Sequence, residues 1–130
     1  MTKGVCARPP GVGDVASEVV VVDEDNTRIA ELELAPRQAL HWHYHTNFDR
    51  MYCLSGTVVV ETRMPFVRHE LRPGQHCHVA PRKAHRVLNP DDTPARYLII
   101  QGGAPYDYFP IDALNVAEGG LAERGPAERG

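Results

Sequence analysis

The chain has 130 residues, which suits one domain with a modest core of its own. Hydrophobic residues make up 42% and charged residues 24%, the balance of an ordinary globular protein. A formal net charge of −3 argues against a nucleic-acid binder, which would carry a basic stripe.

Residues 1–16 read as an irregular arm, because Pro9, Pro10, Gly11 and Gly13 interrupt any regular pattern. Residues 18–22 are rich in valine and read as a strand, closed by the turn cluster Asp23, Glu24, Asp25 and Asn26. From 28 to 34, Ile29, Glu31 and Glu33 alternate with Ala30, Leu32 and Leu34. That period of two marks a strand with one buried face. Pro36 ends it. Further extended runs cover 40–45, 50–54, 57–63, 66–71, 76–80, 84–88 and 95–101. They are separated by turn signals at Thr46 and Asn47, Ser55 and Gly56, Met64 and Pro65, Pro73 and Gly74, residues 81–83, and residues 89–92. Strands recurring at such short spacing predict an all-β sandwich or barrel over residues 17–110. Beyond it, residues 111–130 are expected to form a short helix capped by Asp112 and then a polar tail.

The longest apolar runs, 19–22 and 97–100, are far too short to span a bilayer, and the N-terminus has no apolar signal core. No membrane partner is expected. Cys6, Cys53 and Cys77 form no disulfide framework and read as reduced thiols, which fits a cytoplasmic protein.

The unusual feature is histidine. His41, His43 and His45 occupy alternate positions of one extended run, so their imidazoles share a face while Trp42 and Tyr44 point the other way. Neutral imidazoles converging on one side are the commonest way for a protein to hold a metal ion. Asp49 follows just past a turn, where an antiparallel strand would return it beside the pair. Met51 and Cys53 share its parity and are expected to line the interior, Cys53 as a small buried hydrophobe rather than a nucleophile.

His43, His45, Asp49 and, after six further residues, Gly56 resemble the first motif of the cupins. Gly74, His85 and Asn89 stand at the spacing of the second motif. The resemblance covers roughly residues 28–101, and the closing run 101–109 is similar to the tail of small quercetinase-like bacterial cupins. It implies a jelly roll (a double-stranded β-helix) and adds His85 to the metal ligands His43, His45 and Asp49. Arg37 stands where the first motif has glycine, and Ala80 and Arg82 replace the proline and glycine of the second. Asp49 replaces the usual glutamate and is one methylene shorter. It is therefore read either as a direct ligand, as one acting through water, or as a group that orients a histidine ring.

Three histidines and a carboxylate leave two positions open on a six-coordinate ion. Iron, manganese and nickel suit that arrangement, while zinc tends to stop at four ligands. One divalent ion per chain is thus expected, acting on a small molecule. Dioxygenase chemistry is slightly favoured, a lyase, isomerase or cyclase comes next, and a non-catalytic binding module or a structural metal remain as alternatives. His41 is a candidate for the pocket rim, and His76 and His78 are candidate acids or bases if their face is the interior. Trp42, Tyr44, Tyr52 and Leu54 would leave an apolar outer patch, covered by the N-terminal strand or by a second subunit, and a homodimer is expected.

Overall fold

The computed structural model describes residues 15–111, and all regular structure within them is β. Residues 1–14 of the arm expected at 1–16, and residues 112–130 of the helix and tail expected at 111–130, lie outside the described residues. Ten strands follow one another: β1 (Ser17–Glu24), β2 (Thr27–Leu34), β3 (His43–Tyr44), β4 (Phe48–Ser55), β5 (Val58–Thr62), β6 (Val67–Leu71), β7 (His76–Val79), β8 (His85–Leu88), β9 (Ala95–Gly102) and β10 (Phe109–Pro110). They form two antiparallel sheets of five, ordered β1-β2-β9-β4-β7 and β10-β3-β8-β5-β6. This is the jelly-roll arrangement of two packed sheets.

The period-two pattern is what closes the sandwich. Ala30, Leu32 and Leu34 on β2 are buried, as are Met51 and Cys53 on β4, Cys77 and Val79 on β7, and Ala95, Tyr97 and Ile99 on β9. Val58, Val60, Leu71 and Val87 meet them from the other sheet. Burying one such side chain stabilises the fold by roughly 1.5–3 kcal/mol. Pairing starts slightly earlier than the sequence suggests. Val15 packs against the core, and the Ala16 amide donates to the Glu33 carbonyl at 2.8 Å.

Turns are set by residues in the left-handed region. Gly56 has φ +74°, and a Cβ there would stand 3.0 Å from the Pro94 carbonyl and 3.1 Å from Ala95, so only glycine fits. Arg37 and Arg82, at the two sites where the motifs carry glycine, keep φ at +62° and +64°. The glycine backbone has survived there without the glycine. Asn89 is buried and fully engaged. Its amide donates to the Ala35 and Thr93 carbonyls, and its carbonyl accepts from the Asp91 amide, which staples two loops together.

The run 40–45 becomes only a two-residue strand, preceded by a single bridge from Ala39 to Leu88. The chain here crosses from one sheet to the other, so it cannot pair continuously with either. The outer aromatic residues do not merge into one patch, because Trp42 and Tyr44 belong to one sheet side and Tyr52 and Leu54 to the opposite one. Arg63 and Arg86 lie over the Trp42 ring, their Cζ atoms 4.2 and 5.1 Å from its centroid. Phe109 stacks on Tyr44, and His76 lies against Tyr52. No helix among the described residues is long and apolar enough to cross a membrane.

Candidate metal centre

His43 on β3 lies directly opposite His85 on β8, so two imidazoles of one sheet share the inner face. His45 sits at the crossover to the other sheet, and Asp49 follows on β4. All four are buried. The ring centroids of His43 and His85 are 4.4 Å apart, those of His43 and His45 4.8 Å, and those of His45 and His85 5.4 Å. One ligand nitrogen from each can be chosen so that all lie within 4.8 Å of one another, a group that could hold a metal ion.

Each ring is oriented by the backbone. His43 Nδ1 faces the His41 carbonyl at 2.7 Å, His45 Nδ1 the Asp107 carbonyl at 2.6 Å, and His85 Nδ1 the Lys83 carbonyl at 2.9 Å. A carbonyl can only accept, so each Nδ1 must be the protonated nitrogen. The three Nε2 atoms are then left with free lone pairs in the neutral rings. Asp49 Oδ2 stands 3.0 Å from His85 Nε2 and 3.4 Å from His45 Nε2, yet Asp49 Oδ2 and His85 Nε2 are buried without a hydrogen bond. A carboxylate oxygen and an imidazole nitrogen so close together and without other partners suit a shared cation, and these residues fit a divalent ion.

Electrostatics follow from this crowding. Burial holds His43 well below the usual histidine range, and the neighbouring His85 and His45 push it the same way. Burial also opposes charge on His45, but the Asp49 carboxylate outweighs it and raises the pKa. Burial would raise Asp49, and His45 and His85 more than reverse that, holding it well below the usual carboxylate range. Cys77 is pushed up to about 11, by burial first and by Asp49 second. Burial likewise raises Cys53, whose thiol faces the Ser55 and Gly56 carbonyls. Both are protonated, packed thiols.

The remaining histidines fall elsewhere. His41 contributes its carbonyl to the His43 ring, while its side chain is outside the cleft. His76 and His78 correct the interior alternative. Both are exposed, because Cys77 and Val79 take the inward positions of β7. They lie against Tyr52 and Phe48 on the outer face.

The cleft around the centre is partly open to solvent and narrow, with a cavity volume of about 30 Å³. Leu32, Leu40, Val87 and Ile99 give it apolar walls, and Glu18, Arg28, Gln101 and three tyrosines make the rest polar. Tyr108 stacks on His43 at 4.6 Å, and Tyr106 lies 5.6 Å from His45. Between them, Asp107 accepts from the Thr46 amide at 2.8 Å and from its hydroxyl. Residues 106–108 thus form a strap across the histidines. The sequence signal for it is the likeness of the closing run 101–109 to the tail of small cupins. Nothing in the sequence marks Arg28 or Gln101 as part of the centre.

The family model for the cupin domain matches residues 30–101, more than half of the chain. The chain belongs to the cupin family. No curated protein matches it. Among solved structures, a cupin domain from Bordetella pertussis Tohama I is 24% identical, with a TM-score of 0.57, over 68% of this chain and 93% of that one. The polyketide cyclase RemF from Streptomyces resistomycificus is 16% identical, with a TM-score of 0.64, over 73% and 70%. An oxalate oxidase is 14% identical, with a TM-score of 0.62, over 66% of this chain and 46% of its own. At these identities the likeness is one of fold.

Proposed function

We propose that this cupin holds one divalent ion on His43, His45, His85 and one oxygen of Asp49, and is an enzyme acting on a small organic molecule in the adjoining cleft. The observation that carries this is the set of three Nδ1–carbonyl contacts, which leaves the Nε2 atoms as ligands in a buried group whose donor atoms lie within 4.8 Å of one another. The bound ion would supply Lewis acidity or a site for dioxygen, and iron, manganese or nickel suit four ligands with two positions left. The chain's own groups supply the rest. Leu32, Leu40, Val87 and Ile99 exclude water from one side of the cleft, and three tyrosines give the rest a polar lining suited to a polar substrate.

Polar groups beside the centre favour an enzyme over a passive binding module. His41, His76 and His78 do not line the cleft, so proton transfer there falls to a tyrosine hydroxyl, and metal-centred dioxygenase chemistry is the leading reading. The cyclase among the fold relatives keeps a non-redox reaction as the second. The free, buried Cys53 and Cys77 are consistent with a reducing, cytoplasmic setting. A homodimer belongs to the same proposal, now through the edge strand β1 rather than the aromatic residues.

The deciding experiment is elemental analysis of untagged protein, wild type and His85→Ala, followed by oxygen uptake with enolic and phenolic substrates. About one iron, manganese or nickel per chain, lost in the variant, together with oxygen consumption, is the expected result. Substrate turnover without oxygen uptake would move the reading to a lyase, isomerase or cyclase. A wild-type protein that takes up no metal even after reconstitution would refute the site.

A further inference from the structure

Arg28, Gln101 and Asp49 stand directly opposite one another on the adjacent strands β2, β9 and β4. Their side chains form a row. Arg28 Nη1 donates to Gln101 Oε1 at 3.0 Å, and Gln101 Nε2 donates to Asp49 Oδ1 at 3.0 Å. A guanidinium can only donate and an ionised carboxylate can only accept, so an amide between them has one permitted orientation. The guanidinium is held in turn. Its Nη2 pairs with Glu18 on β1, and its Cζ lies 4.7 Å from the centre of the Tyr106 ring.

We propose that Gln101, which occupies Asp49 Oδ1, and Arg28, which fixes the Gln101 amide, are positioning residues that present Asp49 to the metal as a one-oxygen ligand. This rests on the metal reading above. The geometry at the other oxygen agrees with it. Oδ2 faces His85 and His45 and has no hydrogen bond of its own. Aspartate is shorter than the family's glutamate and its reach is set closely by the β4 backbone, so a partner that pins its rotation matters more here. Among the described residues Arg28 is the one arginine or lysine lining the cleft, yet its ion pair with Glu18 neutralises it, so a role as clamp for an anionic substrate is the weaker account. Glu18 and Arg28 also make β1, an edge strand, part of the support of the centre.

The test is Mn²⁺ affinity, measured by competition with a chelating dye, for wild type, Arg28→Met, Gln101→Leu, Asp49→Ala and the two double variants that include Asp49→Ala. Groups that orient metal ligands typically change affinity by about 10- to 100-fold. A loss of at least about tenfold is therefore expected in Arg28→Met and in Gln101→Leu. In the Asp49→Ala background the same substitutions should add less than about twofold, because the group they act through is gone. Undiminished losses in that background would overturn the proposal, since a general effect on the fold does not pass through Asp49. Wild-type affinity in both single variants would overturn it too. A wild-type protein that binds no Mn²⁺, Fe²⁺ or Ni²⁺ would instead refute the metal reading beneath it. If Arg28→Met fails to fold, as judged by melting in chelator, Arg28→Lys replaces it. Lysine keeps the charge for Glu18 and can donate to Gln101 only from a single point. An affinity between those of wild type and Gln101→Leu is then expected, and one equal to wild type would count against the proposal.

Discussion

Arg37 and Arg82 hold a conformation that a side chain resists. A left-handed residue with a Cβ costs roughly 1–2 kcal/mol, part of which glycine returns through its greater freedom in the unfolded chain. The ion pair of Arg37 with Asp92 is exposed and offsets little. Arg82 contributes mainly its backbone, donating to the His45 carbonyl at 2.7 Å. Arg37→Gly and Arg82→Gly are therefore expected to be neutral or to raise the melting temperature by a few degrees each, with metal content unchanged. Calorimetry checks this, and a marked drop would mean that the side chains hold the turns.

Asp49 and His45 give the apo protein a defined pH window. Asp49 is depressed in the fold, so its contribution is present above the unfolded carboxylate value of about 3.9 and is lost as pH falls towards the folded one. His45 is raised, so its contribution is complete below about 6.5 and is lost as pH climbs through the folded value. With chelator present, wild type should exceed Asp49→Asn in stability most between about pH 4 and about pH 6.5. The margin should shrink on both sides. Denaturant titrations at three pH values would show it, and a margin that keeps growing towards alkaline pH would contradict the pairing.

Among the elements, the strap at residues 106–108 has more influence on the centre than its length suggests. Asp107 uses its carbonyl to orient His45 and its carboxylate to fasten Thr46. Asp107→Ala keeps the carbonyl but frees it to drift. Metal affinity is expected to fall by about tenfold, while secondary structure stays intact. An unchanged affinity would mean that Tyr108, stacked on His43, holds the strap alone. The outer face of β5 and β8 is fixed differently. Glu61 is buried and accepts from Arg68 at 2.9 Å and from Arg86 at 2.8 Å, while Arg63 and Arg86 cover Trp42. Charge thus shields an aromatic ring that a sequence pattern reads as an exposed patch.

For the whole molecule, the surface most in need of a partner is β1. Among the described residues it is an edge of its sheet, and Val19, Val20 and Val21 are 59%, 45% and 61% exposed. A sheet edge with exposed valines invites pairing with another chain. A dimer in solution, weakened by Val21→Lys, is the expected outcome by light scattering. A wild-type monomer at micromolar concentration would remove β1 as an interface.

Much of this molecule could be read before any fold was known, and the reason is local. Alternation along a strand depends on the pleat alone, so the buried faces of β2, β4 and β9 and the shared side of His43 and His45 follow from their order in the chain. Spacing within the two motifs likewise brought Asp49, Gly56 and His85 into view. Register and crossover are not local. Whether β7 turns His76 or Cys77 inward depends on its pairing with β4. The row Arg28, Gln101 and Asp49 depends on two ladders between strands far apart in sequence. The strap crosses the centre only because residues 106–108 return to β3 through β10. The chain order determined which residues could meet a metal ion, and the pairing of distant strands decided what holds them in place.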